Sequence, residues 1–235
     1  MKNVFLALTL SILAVCAAVL AQTPPAPKAA PKAATPAKTV GVPNLLNPAS
    51  LNAKAPPVYL VKLNTSKGPI VIRVTKSWAP VGADRFYNLV RAGFYNNNFF
   101  FRSTGQFAQF GIPARPELSR VWMERNMLDD RVVQSNKRGM VTFASTSEKN
   151  SRSVEVFISK VNNDYLDSSG FAPFGEVIEG LENLDMLYNG YGEQVTPLQN
   201  QIENLGNSFL EKNFPRLDKI VTAVIEPLPA DDTKK

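Results

Sequence analysis

The chain has 235 residues, enough for one medium-sized domain with extensions, and its 44% hydrophobic content is that of an ordinary globular protein. It contains no histidine and one cysteine, Cys16, which removes the usual zinc and haem ligands and any histidine-assisted nucleophile. The formal charge of +6 is no footprint of nucleic acid, because Lys2, Lys28, Lys32, Lys38 and Lys54 stand in an acid-free N-terminal stretch and leave the rest of the chain nearly neutral.

Met1–Ala21 begins with Lys2, continues as an apolar run from Val4 to Leu20 and ends in small residues before Gln22, the layout of a secretory signal peptide cleaved near Ala21. An uncleaved anchor is the other reading, since the run approaches the ~20 residues of a membrane span. Lipidation at Cys16 is a third, opposed by the bulky Val15 before it. A membrane enters only in those two cases. The expectation is a secreted or periplasmic protein whose mature form has no cysteine and hence no disulfide. Residues 22–57, with the run TPPAPKAAPKAATPAK, read as a disordered linker, either a stalk or a solvated tail. The domain is expected over 58–227, with a tail over 228–235.

From Val58 the pattern alternates: Tyr59, Val61 and Leu63, a turn at Ser66-Lys67-Gly68, then Ile70, Ile72 and Val74, which predicts a β-hairpin. Pro80, Phe86, Leu89 and Val90 have helical spacing, closed by Gly93. Strands are predicted around Phe99–Ser103, Phe107–Gly111, Gly139–Ala144, Val154–Ser159 and Gly175–Ile178. Helices follow at Glu182–Leu187 and Gln199–Asn213, then a last strand at Ile220–Ile225. Many short strands with few helices indicate a mainly β protein, a closed barrel or a sandwich.

For chemistry, no serine has nucleophile-elbow spacing and no glycine pattern cradles phosphate. The acid pairs Asp129-Asp130 and Asp164 with Asp167 read as solvated turn residues. What remains is Arg102 among Phe99, Phe100, Phe101, Phe107, Phe110, Phe143, Phe157 and Phe171, which suits an apolar pocket with one hydrogen-bonding cation. Taken singly, each phenylalanine is more often core.

The order of these motifs resembles the cyclophilin family of peptidyl-prolyl cis–trans isomerases over about residues 58–225. The markers are Thr65-Ser66-Lys67-Gly68, Ala79-Pro80, Phe86-Tyr87-Asn88-Leu89-Val90 with Gly93-Phe94-Tyr95, Phe100-Phe101-Arg102, Gln109, Gly139 leading to Phe143-Ala144, Val156-Phe157-Ile158, Leu166-Asp167 and Phe174-Gly175. Gly170-Phe171-Ala172-Pro173 and Gly190-Tyr191-Gly192-Glu193 look like a secreted bacterial subgroup. The resemblance implies a closed eight-stranded antiparallel barrel capped by two helices, to which the sequence adds a small C-terminal helix. It implies an isomerase of proline-containing polypeptides that is monomeric and needs no cofactor or metal. Carried over residue by residue, Arg102 is catalytic. Phe157 is the floor of a proline pocket, Phe107 a wall and Leu166 a rim, Gln109 bonds the peptide backbone, and Ala144 meets the residue before proline. Tyr165 and Phe171 complete the substrate-binding set, at positions where strongly cyclosporin-binding members carry tryptophan and histidine, so weak cyclosporin binding is expected.

Three departures matter. Arg102 and Gln109 stand one residue closer than in the family, which leaves the register of Phe107 and Gln109 open. Glu155 replaces a common glutamine and favours basic substrates. Gly105-Gln106 replaces a proline–glycine pair. Two other classes remain, a peptide-binding or chaperone-like module with weak catalysis and a cell-envelope scaffold.

Overall fold

The computed structural model describes residues 44–228; the leader expected over 1–21, the linker up to residue 43 and the tail from residue 229 lie outside the described residues. The alternation at Val58 yields β1 (Val58–Thr65) and β2 (Gly68–Thr75), paired from Val58↔Thr75 to Thr65↔Gly68 around Ser66-Lys67. Thr65 Oγ1 donates to the Gly68 carbonyl at 2.6 Å and accepts from Lys67 N at 3.1 Å, which pins the turn. Tyr59, Val61, Leu63, Ile70, Ile72 and Val74 all face the core, as period-2 patterning requires.

Helix α1 (Pro80–Arg91) starts on a proline whose missing N–H costs nothing there. Its N-terminal donors are satisfied from a distance: the Asp130 carboxylate accepts from Val81 N at 3.0 Å and Gly82 N at 2.8 Å. Asp129 pairs with Arg152, so this acid pair is structural and not the solvated turn expected.

The remaining strands are β3 (Asn98–Phe99), β4 (Arg102–Ser103), β5 (Phe107–Phe110), β6 (Met140–Phe143), β7 (Val156–Ser159), β8 (Pro173–Glu179) and β9 (Lys219–Glu226). They form one curled antiparallel sheet in the order β3-β9-β1-β2-β8-β6-β7-β5-β4. The expected count of eight becomes nine, because the strand predicted at Phe99–Ser103 is two short strands at opposite ends of that order. Asn98 pairs with Ile220, and Arg102 with Gln109. Phe100 and Phe101 lie between them.

The helices also exceed expectation. Besides α1 the described residues hold α2 (Pro116–Trp122), α3 (Leu181–Asp185), α4 (Gln199–Leu205) and α5 (Asn207–Asn213). The single helix predicted over Gln199–Asn213 breaks at Gly206, whose φ of +65° is left-handed and whose absent Cβ would lie 2.5 Å from the Ala114 carbonyl oxygen. Residues 44–57, assigned by composition to the linker, pack on the domain instead: Leu45 and Leu51 lie against the core and Ala55 is buried.

The phenylalanines around Arg102 divide into three groups. Phe100, Phe110 and Phe143 enter the main core with Phe86, Tyr95 and Phe174. Phe99 and Phe101 join Val195, Ile202, Leu210 and Leu217 in a second core beneath α4 and α5. Phe107 and Phe157 are buried yet belong to neither core.

Candidate active site

Register places the site. Arg102 on β4 lies opposite Gln109 on β5, and Gln109 opposite Phe157 on β7, so the three side chains share one face of the sheet. Phe107, two residues before Gln109, takes the same face by strand periodicity, while Ala108 and Phe110 point into the core. The short hairpin resolves the spacing left open by the sequence: Thr104 N donates to the Phe107 carbonyl at 2.9 Å, and Arg102 stands directly across from Gln109.

The other walls come from further along the chain. A 3-10 segment, Asp164–Ser169, brings Tyr165 and Leu166 over the face and leads to Phe171. Asn136 ties it down, giving its backbone N–H to Asp167 Oδ1 at 2.9 Å and its amide to Asp167 Oδ1 at 2.7 Å and the Phe171 carbonyl at 2.8 Å. Arg152 donates to the Gly170 carbonyl at 2.6 Å and lies 5.4 Å from the centre of the Phe171 ring. Between these walls is a cavity of about 370 Å³. All eight residues singled out by the sequence line it: Arg102, Phe107, Gln109, Ala144, Phe157, Tyr165, Leu166 and Phe171.

Its interior is apolar along one side and wired along the other. Phe107 and Phe157 meet edge to face at 5.3 Å, and Phe157 and Phe171 at 5.8 Å. The Arg102 guanidinium lies 5.0 Å from the Phe107 ring centre. Arg102 Nη1 donates to Gln109 Oε1 at 3.2 Å, and Gln109 Nε2 donates to Glu155 Oε2 at 2.7 Å. On the outer side Glu193 accepts from Arg102 Nε at 2.9 Å and from Nη2 at 2.7 Å.

Sequence reasoning gave no site role to Thr196 or Gln199, and it read Glu193 only as part of the Gly190-Tyr191-Gly192-Glu193 marker. Thr196 and Gln199 line the cavity from the segment leading into α4. The contact between Arg102 and Glu193 spans 91 residues, and no local pattern announces it.

Electrostatics separates the two carboxylates. The hydrogen bond from Arg102 holds Glu193 below its ordinary range against an opposing desolvation cost. Burial pushes Glu155 up to about 7, with Gln109 opposing and Glu203 adding to the rise. Glu155 also lines a second cavity of about 380 Å³ with Glu124 and Glu203, which shares Gln109, Ala144, Ser145 and Gln199 with the first.

The family model "Cyclophilin type peptidyl-prolyl cis-trans isomerase/CLD" matches residues 60–207. The chain belongs to the cyclophilin family. Its reaction is the cis–trans isomerisation of peptidyl-prolyl bonds. Peptidyl-prolyl cis-trans isomerase A of Dickeya dadantii (strain 3937) is 33% identical over 147 residues, covering 60% of this chain and 76% of that relative. Peptidyl-prolyl cis-trans isomerase B of Escherichia coli (strain K12) is 29% identical over 173 residues, covering 70% and 98%. Among solved structures, a cyclophilin type peptidyl-prolyl cis-trans isomerase from Cryptosporidium parvum superposes with a TM-score of 0.53 at 21% identity, over 73% of this chain and 99% of that one.

The cyclophilin reaction asks for shape and one donor. Turning an X–Pro bond breaks amide resonance against a barrier of ~18–20 kcal/mol, and the spontaneous step takes ~10–100 s. In the twisted state the prolyl nitrogen regains a lone pair and the carbonyl loses conjugation, so catalysis means binding that state better than either planar one. An apolar cleft can grip the ring, and a fixed guanidinium can donate to the nitrogen or the carbonyl. Neither step transfers a proton permanently or forms a covalent bond.

Proposed function

We infer that this cyclophilin accelerates X–Pro isomerisation in unfolded or newly exported polypeptides, with Arg102 as the catalytic donor. The carrying observation is the shared face of Arg102, Gln109 and Phe157 inside one cavity, with Phe107 beside them. In this reading Phe157 is the floor under the proline ring, Phe107 and Phe171 are its walls, and Leu166 and Tyr165 its rim. Gln109 and Ala144 meet the peptide on its N-terminal side. One of the solved cyclophilin structures was determined in the presence of the dipeptide Ala-Pro, which supports proline-containing peptides as the ligand class. The carboxylates of Glu124 and Glu203 in the adjoining cavity, joined by Glu155 once it ionises above about pH 7, support a preference for basic substrates.

The same reading takes the sheet as a closed barrel bridged at 98–103, and the leader expected over 1–21 as the signal that delivers the protein to the cell envelope, as in a secreted bacterial subgroup. Catalysed exchange on a short Ala-Pro peptide, followed by NMR for the wild-type domain and for Arg102→Ala, tests the assignment. Loss of one preorganised donor is expected to slow exchange by roughly a hundredfold or more while the fold persists. An unchanged rate would remove Arg102 from the chemistry.

A further inference from the structure

We propose that Glu193 is the positioning residue for Arg102, fixing which edge of the guanidinium faces the substrate. The inference rests on the role of Arg102 given above. Arginine offers five N–H donors on a rigid plane. Glu193 takes the side edge, accepting from Nε at 3.0 and 2.9 Å and from Nη2 at 2.7 Å, and Gln109 takes one hydrogen of Nη1 at 3.2 Å. Two donors remain, one each on Nη1 and Nη2.

Arg102 needs such a constraint. It lies on a two-residue strand at the end of the sheet order, and its side chain is 27% exposed. Such a side chain has many rotamers, and each one lost in the reacting complex would raise the barrier. Glu193, by contrast, is held by its own segment. Thr196 Oγ1 donates to Glu193 Oε2 at 2.8 Å, and Gly192 bridges to Ser103, the neighbour of Arg102. Tyr191 stacks edge to face on Phe214 at 5.1 Å, and Val195 is fully buried in the second core. The C-terminal helices thereby reach the reaction through one carboxylate.

The pair contributes little to holding the fold together. The Glu193 side chain is 57% exposed, and ion pairs screened by water to that degree add little to stability. Its effect therefore falls on the rate and not on melting. The carboxylate also offsets part of the guanidinium charge, so a net benefit requires that orientation outweighs charge. That balance is what the variants measure.

The experiment compares wild type, Glu193→Ala, Glu193→Gln, Arg102→Ala and the double variant Arg102→Ala/Glu193→Ala on an Ala-Pro peptide. Glu193→Ala is expected to lower kcat about tenfold with KM changed less than about twofold, because the donor is misplaced in the transition state and not lost from the ground state. Glu193→Gln keeps one acceptor and should recover part of that loss. In the Arg102→Ala background the Glu193 change should have no further effect, as expected for a residue that acts only through Arg102. The Arg102 Nε–H resonance should be sharp and shifted in wild type and in Glu193→Gln, and averaged in Glu193→Ala. An active wild type with an unchanged or faster Glu193→Ala would overturn the inference alone, the faster case showing that the carboxylate masks the guanidinium. Additive losses in the double variant would overturn it too. An inactive wild type would instead bring down the catalytic reading on which it rests.

Discussion

Glu155 is a carboxylate placed where its charge is disfavoured, drawn from water behind Gln109 and beside Glu203, so that its carboxyl titrates near 7. The unfolded chain releases that proton near the ordinary 4.5, while the folded chain keeps it until about 7. Between those values the native state binds the extra proton, so stability falls as pH rises through the window and the full cost is present above it. Glu155→Gln removes the titration and keeps an acceptor for Gln109 Nε2. Urea unfolding should find the variant close to wild type at pH 4 and more stable by roughly 2–3 kcal/mol at pH 8. Parallel curves at both pH values would show that Glu155 is better solvated than its position indicates. This residue was visible in the sequence as a departure from glutamine, but its consequence was not, because the rise depends first on burial in the folded chain and then on Glu203 from α4. The same limit applied to the phenylalanines. Composition gathered eight of them around Arg102, and only register could assign three to the cavity and five to two cores.

Among the elements, the strap at 44–57 has consequences that its composition concealed. The Leu45 carbonyl accepts from Trp122 Nε1 at 2.7 Å, and Ala55 N donates to Asp84 Oδ1 at 2.8 Å. Ala53 exchanges two hydrogen bonds with the Asn88 amide, at 3.0 and 2.8 Å. A chain beginning at residue 58 leaves Asn88, which is 5% exposed, and the Trp122 indole short of partners. With a net of about 1 kcal/mol for each of four hydrogen bonds, such a chain should be less stable than one beginning at residue 44 by roughly 3–4 kcal/mol. Thermal melts of the two chains check this, and equal melting temperatures would mean that water replaces the strap. Exchange activity should be alike in both, because none of the strap residues lines the cavity at Arg102. A Pro/Ala/Lys average carried forward from residue 22 hid the strap, whose contacts are backbone groups of an irregular segment meeting side chains of α1 and α2. Helix α2 escaped for a related reason: Pro116, Leu118 and Trp122 mark about two amphipathic turns, too brief for periodicity to rise above its surroundings. The β1–β2 hairpin was readable because its signal is local.

At the level of the whole molecule, the strands that complete the sheet come from the two ends of the domain. β9 lies between β3 and β1, pairing Leu60 with Glu226 and Asn98 with Ile220. It brings the buried Ile220 and Ala223 into the main core, and the residue before it, Asp218, accepts from Ser66 Oγ at 2.7 Å and Tyr188 N at 2.6 Å. Pairing the first strand with the last carries no sequence signal of its own; local patterning predicted the strands and left a barrel and a sandwich open, and only the resemblance chose the barrel. It also makes the domain a single cooperative unit, since no contiguous segment contains a finished sheet. Non-local topologies of this kind fold in roughly milliseconds to seconds, and they do not tolerate loss of a terminal strand. A chain ending at Pro215 would open the edge of β1, uncover the main core and strand β3. Amide spectra should collapse to the narrow dispersion of an unfolded or molten chain, and isomerase activity should vanish although every residue of the cavity is still present. Adding a peptide of residues 216–228 in trans should restore dispersion and exchange together, because the lost pairings are recoverable without a covalent link. Activity surviving in the truncated chain would mean that the half-sheet carrying Arg102, Gln109 and Phe157 holds its shape without the pairing of first strand to last.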